Sequence, residues 1–304
     1  MKYETMNLFD DEKILRRYVE SCDCRLDEKI ERAIQCIEQT PGLRLFGLTG
    51  PTCSGKTTAA RKITRHLEEQ GFRVHIVSID DFYFDKEYLQ KRADDDPTIE
   101  IDYDSEDTID VDLLAEQTDN LLSCKRTYLP HFDFQTGKRT KGEYTVPQKE
   151  DIFLFEGIQI LYPRVNAILN HSPTYRSIYI CPTSGIRIGE YLFDPCEIRL
   201  MRRLVRDFRH RASDPEFTFY LWKSVRENEE KNIFPYVHNC HATIDSTMPY
   251  EIGMLKPYLI PLLESLPKTS EAYNEAQRML AKIISVQSVK DIYMTENSLY
   301  KEFI

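Results

Sequence analysis

The segment G-P-T-C-S-G-K-T, Gly50 to Thr57, has residue types and spacing suited to holding a polyphosphate. Gly50 and Gly55 permit backbone angles that a side chain would forbid, so consecutive N–H groups can turn inward around an anion. Lys56 supplies a mobile cation for terminal phosphates, and the Thr57 hydroxyl is placed to ligate the magnesium that travels with them. The candidate nucleotide-binding residues are therefore Gly50, Pro51, Thr52, Cys53, Ser54, Gly55, Lys56, Thr57 and Thr58. Two further places supply carboxylates: Asp80 and Asp81 close the run V-H-I-V-S-I, and Glu156 closes D-I-F-L-F-E. A hydrophobic run that ends in one acid is what a strand delivering a carboxylate to a phosphate-bound metal requires. A third place supplies cations. Arg199, Arg203 and Arg206 recur at steps of four and three along R-L-M-R-R-L-V-R-D-F-R-H-R, with Arg202 beside them and Arg209, His210 and Arg211 following. This concentration suits stabilisation of a phosphoryl group in transfer.

The elements that must position these groups are legible around them. Apolar residues from Leu43 to Leu48 predict a buried strand before the loop, and Ala59 to Glu69 a helix after it, closed by Gly71. Val74 to Ile79 predicts the next strand. Strand, loop, helix and strand in this order make a right-handed parallel crossover, whose ligand site lies at the carboxyl ends of the strands. Asp80 and Asp81 should emerge there, beside the phosphate loop. Further strands are expected at 151–157, at 177–181 and near 242–244, with helices over 111–123, 214–232, 251–265 and 270–285. Residues 8–39 read as two amphipathic helices packing on the core, ended by Pro41 and Gly42. The segment after Pro130, with Lys138, Arg139 and Lys141, is either a surface hairpin or a substrate-facing loop.

Composition narrows the function classes. A chain of 304 residues with 41% hydrophobic and 30% charged residues has ample material for one large α/β domain with appendages. Its net charge of -10 argues against nucleic acid or an anionic membrane as main partner. No apolar run approaches the length of a membrane span, and the opening M-K-Y-E-T-M-N-L-F-D-D-E lacks the design of a signal peptide, so a cytoplasmic location is expected. Eight scattered cysteines read as reduced thiols; Cys22 with Cys24, and His238 with Cys240 and His241, each lack the second half of a zinc site.

Five ordered stretches, G-P-T-C-S-G-K-T, V-S-I-D-D-F-Y, L-P-H-F-D-F-Q-T-G-K-R, F-L-F-E-G-I and the arginine run, resemble the uridine kinase and phosphoribulokinase superfamily of P-loop kinases. The resemblance extends over about residues 28 to 304, and E-E-K-N-I-F-P-Y and Y-E-I-G-M-L-K-P-Y are similar to segments of bacterial uridine kinase-like nucleoside kinases. It implies an α/β fold of the P-loop NTPase type: a three-layer sandwich with a mostly parallel sheet flanked by helices and an arginine-bearing lid at about 195–215. The implied organisation is N-terminal helices at 1–40, a kinase domain at 41–268, and a C-terminal helix and tail at 269–304 docking on the core. The implied activity is transfer of a γ-phosphate from ATP or GTP, with Mg2+, to a small-molecule hydroxyl such as that of a nucleoside. Homo-oligomerisation is left open.

Carried over by motif, the resemblance makes Asp80 the catalytic base and a metal neighbour, Thr57 and Glu156 metal ligands, and Arg203 and Arg206 lid arginines. It places Asp81, Tyr83, Asp104, Phe132, Arg139 and Arg203 toward the acceptor, with Asp104 at the ribose hydroxyls. Three positions depart from it. Phe132 replaces a tyrosine, Gly137 a histidine that helps read the pyrimidine, and Ser213 a lid arginine of the animal-type enzymes. The open alternatives are a kinase for another acceptor (a sugar, sugar phosphate or vitamin precursor) and a non-catalytic nucleotide-binding regulator. No N-K-x-D guanine-reading motif is present to support a GTPase switch.

Overall fold

Alternating burial on the apolar strands gives the protein two cores, one on each face of a parallel sheet. The computed structural model describes residues 2–96 and 105–304. A short strand β1 (Tyr3–Met6) precedes one long helix, α1 (Glu12–Glu38), in place of the two helices expected over 8–39. The apolar stripe explains the difference. Leu15, Val19, Cys22, Leu26, Ile30, Ala33, Ile34 and Ile37 hold helical spacing straight through the Cys22–Cys24 stretch, and Asp11 caps the first turn through the Lys13 amide.

The central unit follows: β2 (Leu45–Thr49), the phosphate loop, α2 (Lys56–Glu69), β3 (Val74–Ser78) and a 3-10 turn over Ile79–Phe82. Helices α3 (Lys86–Asp95) and α4 (Val111–Leu122) lead to an antiparallel hairpin of β4 (Thr127–Asp133) and β5 (Lys138–Thr145). Strand β6 (Ile152–Glu156), a 3-10 turn over Ile158–Leu161, α5 (Pro163–Asn170) and β7 (Arg176–Cys181) come next. Strands β8 (Gly185–Ile188) and β9 (Tyr191–Phe193) join β1 in a small sheet that the sequence reading did not foresee. The described chain closes with α6 (Pro195–Arg211), α7 (Pro215–Asn232), β10 (Ala242–Asp245), α8 (Glu251–Glu264), α9 (Tyr273–Ile284) and a 3-10 turn over Leu299–Glu302.

The main sheet runs β10-β7-β2-β6-β3, with every pairing parallel. Along β6, Ile152 and Leu154 face the core shared with α1, α2, α6, α8 and α9, while Phe153 and Phe155 face the core shared with α4 and α5. Helices thus cover both faces, which is why the inner strands β2 and β6 are apolar until they end and why their neighbours with chemistry sit at the strand tips. Register brings those tips level, since Glu156 lies opposite Leu48 on one side and Ser78 on the other. Among the described residues no helix is long and apolar enough to cross a membrane.

Candidate active site

The phosphate loop leaves the tip of β2, the middle strand, and turns into the first turn of α2. Cys53 at φ 58 and Gly55 at φ 96 are both left-handed, which bends the loop into a concave row of amides suited to an anion. Only glycine fits at 55, because a Cβ there would also collide with the Leu299 side chain. Ser54 is fully buried, and its Oγ has no hydrogen-bond partner among the described residues. The Lys56 ammonium donates to the carbonyls of Gly50 (2.8 Å) and Pro51 (3.0 Å). Burial pulls its pKa down, and the negative charges of Glu156, Glu302 and Asp80 act in the opposite direction.

Both expected carboxylates are near enough for their charge to act on that ammonium. Glu156 ends β6 and accepts from Ser78 Oγ at 2.9 Å. Burial pushes its pKa up, opposed by Lys56 and the Ser78 hydrogen bond. Asp80 opens the turn after β3 and accepts from Gln159 Nε2 at 2.6 Å. Its pKa is likewise raised by burial, against the Gln159 hydrogen bond and the Lys56 charge; Arg211 adds a further favourable charge. Gln159 was missed by the sequence reading. It is 1% exposed, it also donates to the Tyr83 hydroxyl at 2.8 Å, and its only sequence signal is a lone amide inside the apolar turn I-Q-I-L.

The donor set suits a magnesium ion carried in on phosphates. Among the described residues no three His, Cys, Asp or Glu side chains form a cage. What the site offers is the exposed Thr57 hydroxyl and two carboxylates whose buried charges gain from a nearby cation.

The residues expected toward the acceptor divide. Tyr83 packs against Phe132 (centroids 5.6 Å) and Phe134 (6.2 Å), forming an aromatic wall reached from Asp80 through Gln159. Asp81 is engaged in structure, accepting from the Phe132 amide at 2.9 Å and contacting His131 Nδ1 at 3.1 Å, so it ties the hairpin to the strand tip. Arg139 pairs with Asp110 at 2.8 Å and donates to the Phe82 carbonyl at 3.3 Å. Gly137 takes φ 68 in the hairpin turn, where a Cβ would overlap the Lys86 side chain. Asp104 lies outside the described residues.

The arginine run serves two purposes rather than the one expected. Arg199 forms a two-point pair with Glu229 (2.5 and 2.7 Å), and Arg202 is bound by Glu251 (2.7 and 3.0 Å); both arginines are buried. These two are struts of the core, not cations of a mobile lid. Arg203 and Arg206 share Asp207, at 3.0 Å and 2.7 Å. Arg211, more than half exposed and 3.7 Å from Asp207, is an arginine of α6 whose charge acts on Asp80.

The Phosphoribulokinase / Uridine kinase family profile matches residues 45–252. The chain is 28% identical over 195 residues to a uridine kinase of Clostridium perfringens (strain SM101 / Type A), covering 64% of this chain and 78% of that protein. A uridine kinase of Lactobacillus helveticus (strain DPC 4571) is 31% identical over 170 residues, covering 55% of this chain and 69% of that protein. Among solved structures, a D-glycerate 3-kinase from Cryptococcus neoformans var. grubii is similar at TM-score 0.45 and 16% identity, over 69% of this chain and 87% of that one.

Proposed function

Since this chain belongs to the phosphoribulokinase / uridine kinase family, we propose that it transfers the γ-phosphate of ATP to the 5′-hydroxyl of a nucleoside of the uridine or cytidine type. The observation that carries this reading is the convergence of Asp80, Glu156 and Lys56 around one phosphate loop at level strand tips. In it, Lys56 and the loop amides hold the β- and γ-phosphates, and Asp80, oriented by Gln159, takes the proton of the attacking hydroxyl. The new O–P bond forms as the bond from γ-phosphorus to the β,γ-bridging oxygen breaks, and the electron pair leaves on ADP. Thr57, with Asp80 and Glu156, would hold a magnesium ion, which would supply charge neutralisation on the phosphates. Arg203, Arg206 and Arg211 on α6 would supply positive charge to the group in transfer. Most of the acceleration comes from positioning and charge neutralisation, because the transition state is loose. Cytoplasmic residence accords with this chemistry.

The aromatic wall of Tyr83, Phe132 and Phe134 supports a flat acceptor such as a nucleobase. A second reading, another small hydroxyl acceptor, is favoured by Gly137. Its left-handed turn leaves no room for the histidine that would read a pyrimidine, and Arg139 is already paired with Asp110. Incubating the protein with ATP, magnesium and a panel of nucleosides, sugars and sugar phosphates, and identifying by mass which one gains a phosphate, decides between them. Phosphorylation of a sugar but of no nucleoside overturns the first reading, and phosphorylation of nothing in the panel overturns both.

A further inference from the structure

Helix α2 has no capping side chain at its own N-terminus and no acid in its first turn. Its first-turn amides therefore favour an anion from elsewhere in the chain. The anion comes from 244 residues away: Glu302 Oε2 lies 3.4 Å from the Thr58 amide nitrogen and 3.2 Å from Thr58 Oγ1. Thr58 belongs to the phosphate-binding run, and the field of the same carboxylate reaches Lys56 and Arg206. We propose that Glu302 is a built-in anion of the nucleotide site, holding groups on Thr58 that a nucleotide phosphate takes, so that it sets nucleotide affinity. The proposal rests on the nucleotide-binding reading given above.

The segment that carries Glu302 lies outside the residues matched by the family, yet it is fastened to the phosphate loop at several points. Leu299 packs on Gly55. Tyr300 is fully buried and accepts from Arg202 Nη2 at 3.3 Å, while Arg202 Nη1 donates to the loop carbonyl of Cys53 at 3.2 Å. Phe303 is also fully buried. Anchors on both sides hold the backbone, whereas the Glu302 side chain is half-buried and its two contacts are long. Long hydrogen bonds are weak, and a phosphate carrying more charge outcompetes them. Releasing Thr58 therefore takes a rotation of one side chain, not unfolding of the segment. A carboxylate that merely capped α2 would behave differently: its loss would weaken the fold without improving the hold on phosphate.

The test is calorimetric titration of the full chain with ADP and with adenosine, both without magnesium. Glu302→Gln keeps the shape and removes the charge. It should bind ADP about tenfold more tightly than the parent, the scale of removing one like charge a few ångströms from a phosphate in a water-like dielectric. Adenosine, which has no phosphate, should bind the two proteins equally. Glu302→Asp keeps the charge but withdraws it from Thr58, so it should also tighten ADP binding; it serves as the test if the Gln variant fails to fold. Unchanged or weaker ADP binding in folded variants overturns the proposal and leaves the nucleotide reading standing. Failure of ADP and ATP to bind even the folded parent overturns the nucleotide reading, and the proposal with it.

Discussion

Glu251→Gln removes the negative partner from a fully enclosed ion pair, and the structure sets the size of the loss. Glu251 accepts from Arg202 Nε at 2.7 Å and Nη2 at 3.0 Å and from the Met248 amide at 2.9 Å, and both side chains are 0% exposed. Leaving a buried charge without its partner costs about 3–5 kcal/mol. Arg202 would keep the carbonyls of Ser246 (2.8 Å) and Cys53 (3.2 Å), the Tyr300 hydroxyl, and the faces of Tyr300 and Phe303. These remaining partners place the expected loss at the lower end, about 3 kcal/mol, or roughly 6–12 °C in Tm. Trp222, the single tryptophan, lies beneath Arg199 and Arg203, so urea unfolding followed by its fluorescence reads the same region. The pair Arg202→Met with Glu251→Met should recover much of the loss, because a buried ion pair replaced by apolar side chains is often near neutral. A change under about 0.5 kcal/mol for Glu251→Gln would refute the strut assignment.

Two further predictions test the supports of the site. Asp245 accepts from Ser184 Oγ, from the amides of Thr183 and Thr247 and from Thr247 Oγ1; burial pushes its pKa up, but these donors outweigh it and bring it down to about 2. A depressed folded pKa gives stability that is fully present above the unfolded value near 4 and is lost as pH falls toward 2. Asp245→Asn should therefore cost about 2 kcal/mol at pH 7 and flatten the stability profile between about pH 4 and 2, measured by urea midpoints across that range. Gln159→Leu removes the amide that donates to Asp80 at 2.6 Å. A hydrogen bond to a charged group contributes about 1.5–3 kcal/mol, so kcat should fall about 10- to 100-fold with KM for nucleotide little changed; an equal rise in KM would argue for a binding role instead.

The parts of the site near in sequence to their cause were legible, and those that depend on distant partners were not. Phe153 to Phe155 followed by Glu156, and Val77 to Ile79 followed by Asp80, announced strand tips because a strand covered on both faces can carry charge only where it ends. The phosphate loop was legible because glycine spacing dictates its backbone. The sequence reads α1 as two helices, and the buried Asp23 between them finds its partners only in the fold. Its partners, the Tyr250 hydroxyl at 2.5 Å and Thr295 Oγ1 at 2.8 Å, lie more than two hundred residues on. The same distance hid the roles of Arg199 and Arg202. Six arginines in a row of motifs look alike until Glu229 and Glu251 are seen to claim two of them. Gln159 and Glu302 gave no local pattern, since each acts through contacts with residues far along the chain.

The most direct test of the account is the single-turnover rate of Asp80→Asn with saturating ATP, magnesium and the acceptor found in the panel. Loss of the base should slow phosphoryl transfer by about 10²–10⁴ while nucleotide affinity stays within about twofold, because Lys56 and the loop amides are untouched. A variant that transfers phosphate at near the parent rate would contradict the assignment of Asp80 and, with it, the seat of chemistry proposed at the tips of β2, β3 and β6.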